Sequence, residues 1–213
     1  MVREGYGRLR QKNGSTSRGT MSSDRNGSSE RITTLVLRAQ DGDVDSFERL
    51  VDTYQAPLLR LAFRMLGNRA DAEDVAQESL MNAWVKLDLL ETPQAFPTWL
   101  YRQAVNKCRD ILRSPRRDST VPIDEAPEGN PVWTDTRASS DPQRAAENSS
   151  SMDALSAMLQ KLPAEQRACW ILREQTELSY GEISQTLAIP EATVRGRLAR
   201  ARKTLANEMK EWQ

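Results

Sequence analysis

An acidic stretch that contains four prolines, residues 118–153, interrupts the apolar pattern of the chain and divides it into two parts. It holds eight acidic residues and two basic ones, a net charge of 2 − 8 = −6, together with six serines. A segment of this composition buries too little apolar surface to offset the entropy lost on ordering it. We therefore predict a flexible linker at 118–153 that joins two small domains, at 32–117 and 154–213.

Both parts carry apolar side chains at steps of three and four residues, the spacing that is typical of amphipathic helices. Before the linker the pattern runs through Leu50, Tyr54, Leu58 and Leu61. It predicts a third helix over about residues 70–87, with Trp84 among the side chains on its apolar side, and a fourth helix from Phe96 to about Arg113. Because strand-like alternation is absent, the predicted fold class is all-α. Residues 1–31 lack the pattern, and we predict a disordered N-terminal tail there.

The composition excludes several classes of chemistry. The chain has no histidine, which rules out Ser-His-Asp or Cys-His catalysis and His-ligated metals. Its two cysteines, Cys108 and Cys169, cannot form a four-thiolate zinc site, and we expect buried, inert thiols in a reducing compartment. An interdomain disulfide between them is the less favoured alternative. No apolar run is long enough for a membrane span, so we expect a cytoplasmic protein with no membrane insertion of its own.

The strongest local pattern lies near the C-terminus. Ser179 and Glu182 have the spacing of a capping box, which begins a short helix. Residues 187–189 follow as a turn, and Pro190 precedes a second helix that extends to about Glu208. Two short helices joined by a tight turn predict a helix-turn-helix.

The second of these helices carries a one-sided set of basic residues. An apolar stripe of Val194, Leu198, Ala201 and Leu205 identifies the buried face. Opposite it, small residues allow close approach to a groove, and guanidinium groups reach base edges or phosphates. The predicted DNA-contacting set is Thr193, Arg195, Gly196, Arg197, Ala199, Arg200, Arg202 and Lys203. A solvated charged face is the commoner reading of such a run, but the preceding capping box and turn favour duplex DNA.

The predicted fourth helix mixes aromatic and basic side chains. This combination suits single-stranded nucleic acid, because bases stack on rings while the backbone meets cations. The residues concerned are Phe96, Trp99, Tyr101, Arg102, Lys107, Arg109 and Arg113. The alternative is that Trp99 and Leu100 belong to the core, which is the default for a Trp at helical spacing.

An acidic cluster marks the first turns of the predicted third helix. Asp71, Glu73, Asp74 and Glu78 lie within eight positions. Carboxylates of this kind bind hard cations in some proteins, but helix-borne acids without a glycine loop are more often solvated or form a partner surface. We favour a protein-docking surface over a metal site and expect no cofactor.

These segments together resemble a known family. DAEDVAQESLMNAW, FPTWLYRQAVNKCRDILR, an acidic linker, LPAEQRACWILRE and LSYGEISQTLAIPEATVRGRLARARK resemble, in order and spacing, the extracytoplasmic-function (ECF) branch of bacterial sigma factors. The resemblance implies a non-enzymatic specificity subunit of RNA polymerase, often part of a stress response. Its first domain, 32–117, is similar to sigma domain 2, which docks on core polymerase and opens the −10 element. Its second, 154–213, is similar to sigma domain 4, which reads the −35 element as duplex.

The resemblance also implies roles for individual residues. Domain 2 docks on the β′ clamp helices of the core enzyme, here through Asp71, Asp74, Gln77 and Glu78, and the β flap of the core enzyme is a further expected partner. Asn106 matches the family asparagine that contacts a flipped −10 base, with the loop 88–95 lining its pocket. At the −35 element, Arg195 and Arg200 match base-reading positions, and Arg197, Arg202 and Lys203 lie nearer phosphate. Such proteins are often held inactive by an anti-sigma factor.

Two positions depart from the family pattern. Gly196 replaces the usual serine of the recognition helix, and the loop DLLETPQA lacks the usual glycine. Two other functions remain as alternatives. A stand-alone helix-turn-helix regulator would bind duplex DNA without polymerase, and a metal nuclease would use Asp71, Asp74 and Glu78.

Overall fold

The computed structural model describes residues 20–114 and 154–211, and the regular structure in these two ranges is helical throughout. The first range forms α1 (Thr20–Gln40), α2 (Val44–Leu66), α3 (Arg69–Val85) and α4 (Phe96–Arg113), with short 3₁₀ turns at Leu87–Leu89 and Pro93–Ala95. The second forms α5 (154–160), α6 (Ala164–Glu174), α7 (Tyr180–Leu187) and α8 (Glu191–Glu211). The all-α prediction is confirmed. The predicted linker, 118–153, lies outside the described residues.

Helix α1 begins earlier than the sequence predicts. The tail was predicted to extend to Arg31, but the backbone is helical from Thr20 onward. Residues 27–31 are exposed, so this part of the extension buries no side chain and continues the amphipathic segment that follows. Just after it, Thr33 and Thr34 donate hydroxyl hydrogen bonds to the carbonyls four residues earlier, at 2.9 Å each. Apolar periodicity cannot detect a helix at residues 27–31, because these residues are exposed.

Side-chain caps separate α2 from its neighbours. Asp43 caps the N-terminus of α2 by accepting a hydrogen bond from the Ser46 amide, and the Ser46 hydroxyl donates to the same carboxylate at 2.7 Å. That hydroxyl hydrogen bond holds the pKa of Asp43 below its usual range. Gly67 ends α2 with a left-handed φ of 70°, and Asn68 then caps α3. These caps fix α2 and α3 as a tight antiparallel pair.

One hydrophobic core runs through both halves of the chain. Helix α2 packs against α3, α4 and α6, while α4 packs against α7. Leu50, Phe96 and Leu100 from the first half and Leu159 and Ile171 from the second are each fully or almost fully buried. The two predicted domains therefore lie in direct contact in this structure.

Polar contacts line the seam between the halves. The Arg167 guanidinium, which is 6% exposed, donates to the Met65 carbonyl at the end of α2 and to the carbonyls of Gln160 and Leu162. Gln175, at the end of α6, accepts a hydrogen bond from Arg64 at 2.7 Å and donates to the Pro57 carbonyl at 3.1 Å. A guanidinium beside a helix C-terminus is well placed, since the last carbonyls carry partial negative charge.

Both cysteines are buried, as their apolar neighbours in the sequence predict. Cys108 and Cys169 are both buried as thiols, one in α4 and one in α6. Burial raises the pKa of Cys169, although the nearby Arg197 acts in the opposite direction. Among the described helices, none is both long and apolar enough to cross a membrane.

The predicted helix-turn-helix is present as α7 and α8. Ser179 accepts from the Glu182 amide at 3.2 Å while Glu182 accepts from the Ser179 amide at 2.7 Å, which completes the capping box. Ala188 ends α7 in the left-handed region, with φ 52° and ψ 48°. A residue with a Cβ is strained there by about 1–2 kcal/mol.

Replacing Ala188 with glycine should therefore stabilise the protein. We expect Ala188→Gly to raise the free energy of unfolding by about 0.5–1 kcal/mol, because relief of the left-handed strain exceeds the entropy that glycine adds to the unfolded chain. Ala199→Gly, in the exposed middle of α8, is the control and should lower it by about 1 kcal/mol. Chemical denaturation gives the free energy of unfolding of both variants. A lower value for Ala188→Gly than for the wild type would contradict backbone strain at Ala188.

Candidate nucleic-acid interface

The buried stripe of α8 fixes which side chains this helix presents to solvent. Val194, Leu198, Ala201 and Leu205 are between 0% and 8% exposed, as predicted. The predicted DNA-contacting residues divide into two groups. Arg195, Ala199, Arg200, Arg202 and Lys203 are exposed, whereas Thr193, Gly196 and Arg197 are half-buried. All members of the exposed group except Ala199 are basic, so the group forms a basic face. This face runs along a helix that rises about 1.5 Å per residue.

The cations of this face differ in their ion pairs. Arg195 pairs with Glu191 one turn earlier at 2.8 Å, and Arg202 pairs with Glu174 of α6 at 2.9 Å. The hydrogen bond to Glu174 raises the pKa of Arg202. Within residues 20–114 and 154–211, no carboxylate pairs with Arg200 or Lys203. Those two side chains are thus the cations most readily available to a phosphate or a base.

Arg197 is the exception among the predicted −35 residues. Its guanidinium is only 19% exposed and lies 2.8 Å from the Glu165 carboxylate of α6. The same carboxylate accepts a hydrogen bond from Arg109 of α4, also at 2.8 Å. In this structure Arg197 is therefore turned toward the protein rather than toward an incoming phosphate.

Gly196 has room for a side chain. A Cβ built at this position meets only the two terminal guanidinium nitrogens of Arg200, at 3.7 and 3.8 Å, which is ordinary contact distance. The glycine therefore leaves the centre of the basic face flat, and the Arg200 side chain lies across it. Nothing in the helix requires glycine at this point.

On α4, two of the rings predicted to contact bases are buried and cannot stack on a base. Phe96 is 0% exposed and Tyr101 is 6% exposed. Both rings pack edge-on against Tyr54 of α2, with centroid separations of 5.5 and 6.1 Å. Burial raises the pKa of Tyr101 to about 12, in keeping with a hydroxyl inside the core. The prediction that these two rings stack on bases is wrong for this conformation, because both belong to the core. Of the two residues that the alternative assigned to the core, Leu100 is 0% exposed and Trp99 is half-buried.

The remaining α4 residues lie on an accessible face. Arg102, Asn106 and Arg113 are exposed, and Trp99 and Lys107 are half-buried. Lys107 pairs with Glu78 of α3 at 2.7 Å. This pair joins a residue predicted to meet DNA with one predicted to meet the core polymerase.

Asn106 lies at a polar pocket of about 250 Å³ between α3 and α4. Its walls are Glu78, Ser79, Asn82, Gln103, Asn106, Lys107 and Asp110. The side-chain amide nitrogen of Gln103 is buried there without a hydrogen-bond partner. The loop 88–95, predicted to line this pocket, contributes no residue to it. Gln40 of α1 instead holds the start of that loop through the carbonyls of Leu87 and Leu90, at 2.9 Å each.

A second, apolar groove of about 650 Å³ lies between α2 and α3. It is lined by Val44, Phe47, Val51, Gln55, Leu59, Glu73, Ala76, Gln77, Leu80, Met81, Trp84 and Val85. Met81, Trp84 and Val85 are 61%, 42% and 75% exposed, which is unusual for large apolar side chains. Sequence reasoning missed this groove because it assigned Trp84 to the buried side of α3.

The predicted docking acids are spread over α3 rather than gathered in one patch. Gln77 lies in the apolar groove, whereas Glu78 lies in the polar pocket on the opposite flank. Asp74 is exposed and Asp71 is half-buried in the first turn. Among the described residues, no group of three acidic or cysteine side chains is close enough to hold a metal ion.

Comparison with known proteins places both halves in one family. Residues 50–118 match the family described as Sigma-70 region 2, and residues 152–205 match Sigma-70, region 4. The ECF RNA polymerase sigma factor SigW of Bacillus subtilis is 33% identical over 178 residues, which cover 83% of this chain and 95% of that protein. The RNA polymerase sigma-H factor of Pseudomonas aeruginosa is 35% identical over 176 residues, covering 80% and 90%.

Solved structures agree at the level of the fold. CnrH in complex with the cytosolic domain of CnrY matches with a TM-score of 0.62 at 23% identity, covering 85% of this chain and 98% of that one. The sigma factor RpoE in complex with the anti-sigma factor NepR from Bartonella quintana matches with a TM-score of 0.55 at 25% identity, covering 77% and 96%.

The open space at Gly196 gives a stability test. We expect Gly196→Ala to raise the free energy of unfolding by about 1 kcal/mol, because alanine favours the helix and meets no close neighbour. Gly67→Ala is the opposite control, since its φ of 70° and a Gln160 side chain 3.1 Å away penalise any Cβ. Denaturant titration distinguishes them, and a destabilised Gly196→Ala variant shows that the helix cannot accept a side chain there.

Proposed function

The chain belongs to the ECF family of RNA polymerase sigma factors, and we propose which of its surfaces bind promoter DNA and the polymerase. As a sigma factor it directs promoter-specific transcription. Both sigma regions match within this one chain, and the alternative of a stand-alone regulator has no support. The observation that carries the assignment of surfaces is the exposed basic face of α8 behind a complete capping box and turn.

We propose that α8 reads the −35 element as duplex DNA. In a helix-turn-helix the second helix enters the major groove and its N-terminal half contacts base edges. Arg195 and Arg200 occupy that half and are exposed. Lys203 lies farther along the same face and suits a phosphate contact. To contact a base, Arg195 must break its ion pair with Glu191. Arg200 makes no ion pair with any described carboxylate.

For the −10 element, we propose that the polar pocket at Asn106 receives an unpaired base. The pocket volume of about 250 Å³ is adequate for a nucleobase. Its walls offer amide donors from Gln103 and Asn82 and a carboxylate acceptor from Glu78. The unpartnered Gln103 amide is a specific attraction, because a buried donor gains a hydrogen bond when an acceptor arrives. Arg102 and Arg113, exposed on the same helix, suit the strand backbone.

We propose that core polymerase docks on the apolar groove between α2 and α3. An open groove with exposed Met81, Trp84 and Val85 suits the apolar face of a helix from a partner. Glu73 and Gln77 at its rim supply the polar contacts that the acidic cluster suggested. The partner at this groove would be the β′ clamp helices. Contacts with the β flap and with an anti-sigma factor, of the kind that RpoE makes with NepR, are also part of the proposed function, and no surface is assigned to them here.

Substituting Arg200 tests the −35 assignment. We expect Arg200→Ala to weaken promoter binding by the polymerase complex about 10- to 100-fold, the effect of losing a bidentate base contact. Lys210→Ala removes the same charge from the exposed end of the same helix and should change affinity little. The promoter comes from sequencing transcripts made by core polymerase with this protein, and binding is then measured by fluorescence anisotropy. Equal affinities for both variants contradict the assigned face.

Substitution in the groove tests the docking assignment. We expect Met81→Asp to reduce association with core polymerase at least tenfold, because a charge would be desolvated on docking. Leu37→Asp is the control, as Leu37 is 49% exposed on α1 and lies outside the groove. Co-purification and native gel shift measure association with core polymerase. If the Met81→Asp variant binds core polymerase normally, the docking surface lies elsewhere.

A further inference from the structure

A glycine and an arginine one helical turn apart form the centre of the basic face of α8. Gly196 and Arg200 are i and i+4 neighbours, so they lie one above the other on the same side of the helix. The two terminal guanidinium nitrogens of Arg200 lie 3.7 and 3.8 Å from the point that a Cβ at residue 196 would occupy. The forked end of the arginine is therefore held over Gly196.

Helix geometry explains the direction of the Arg200 side chain. The Cα–Cβ bonds of a helix tilt toward its N-terminus, and long side chains lean over the residue four positions earlier. A side chain at that earlier position would share the same surface, but at Gly196 the surface is empty. The guanidinium of Arg200 is thereby carried about 6 Å toward the N-terminal end of α8, four residues at about 1.5 Å each.

The neighbouring arginines are directed elsewhere. Arg195 points back to Glu191 on the preceding turn, and Arg197 is turned inward to Glu165 of α6. In the described part of the chain, no carboxylate pairs with Arg200. Of these three arginines, Arg200 is therefore the one that lies over position 196 with its donors free of an ion pair.

A guanidinium in this place suits guanine. In a helix-turn-helix, residues at the N-terminal part of the second helix contact base edges in the major groove. The forked end of an arginine donates two hydrogen bonds to N7 and O6 of guanine, and the other three bases do not present that pair of acceptors there. Gly196 has no side chain that could reach a base itself. The base that faces this position is thus left to Arg200.

We propose that Gly196 is a positioning residue that makes Arg200 the reader of one guanine in the −35 element. The inference rests on the proposed function, since it assumes that α8 enters the major groove of the −35 duplex. Alanine at position 196 is compatible with this arrangement, because a Cβ there makes only ordinary contact with the guanidinium. A longer side chain occupies the place of the guanidinium and displaces it.

The experiment measures the base preference of the full-length protein in complex with core polymerase. Each −35 position of the promoter identified from its transcripts is changed in turn to the other three bases, and competition binding gives the relative affinities. The variants are Gly196→Leu, Gly196→Ala, Arg200→Ala and the double variant Gly196→Leu/Arg200→Ala. Gly196→Met, which also introduces a good helix former, is a second long-chain variant. Circular dichroism confirms that each variant retains its helical content.

Ala199→Leu is the matched control for added bulk. Ala199 is a small, exposed residue on the same basic face, and it lies about 100° around the helix from Arg200. Leucine there can hinder the approach of DNA as leucine at position 196 does, but it does not occupy the place of the Arg200 guanidinium. Arg200→Lys is the control for charge, because lysine keeps the cation and lacks the fork.

We expect the wild type and Gly196→Ala to prefer guanine at one −35 position by about 10-fold or more over the other bases. Gly196→Leu, Gly196→Met and Arg200→Lys should reduce that preference to about 2-fold, whereas Ala199→Leu leaves it unchanged whatever its overall affinity. Arg200→Ala abolishes the preference, so that Gly196→Leu has no further effect on it in the double variant. This non-additivity separates displacement of Arg200 from added bulk.

The positioning role is overturned if the wild type shows no guanine preference at any −35 position. It is also overturned if Gly196→Leu and Gly196→Met keep the wild-type preference while Arg200→Ala loses it, and in that case the assignment of α8 to the −35 element stands. The proposed function fails separately. Wild-type promoter affinity and base preference in Arg200→Ala would show that α8 does not read the −35 element through this face.

Discussion

The arrangement of the molecule depends on one buried guanidinium. Arg167 is 6% exposed and donates to the carbonyl that ends α2 and to two carbonyls that precede α6. A buried cation needs such a set of acceptors, because its desolvation is otherwise costly. By satisfying the end of α2 from α6, Arg167 fixes the second half of the chain against the first. The apolar core shared by α2, α4, α6 and α7 then follows from that orientation.

Local features were predictable from the sequence because their causes are local. The capping box at Ser179, the buried stripe of α8 and the bounds of α4 depend on residues within one or two helical turns of each other. Gly67 and Asn68 separate α2 from α3 for the same reason. Periodicity and turn chemistry therefore recover the helices and the exposed basic face. The proposed roles of these surfaces come from the family resemblance.

Features that depend on contact between distant helices were not predictable in this way. Phe96 and Tyr101 show helical spacing that suits either a core or a stacking surface, and only the position of Tyr54 decides between them. Trp84 lies beside a buried stripe, yet the groove between α2 and α3 leaves it partly open. Glu165 reads as an ordinary acid in a first helical turn until α4 and α8 are placed around it. In each case the missing information is tertiary packing.

The buried thiols have a practical consequence. Thiol reagents attack the thiolate, and burial raises the pKa of Cys169, so this side chain stays protonated near neutral pH. Cys108 is equally inaccessible inside α4. Spin labels or fluorophores can therefore be attached to cysteines introduced on the surface without first removing the native pair. The two native cysteines therefore do not take up labels that are meant for introduced cysteines in spectroscopic distance measurements.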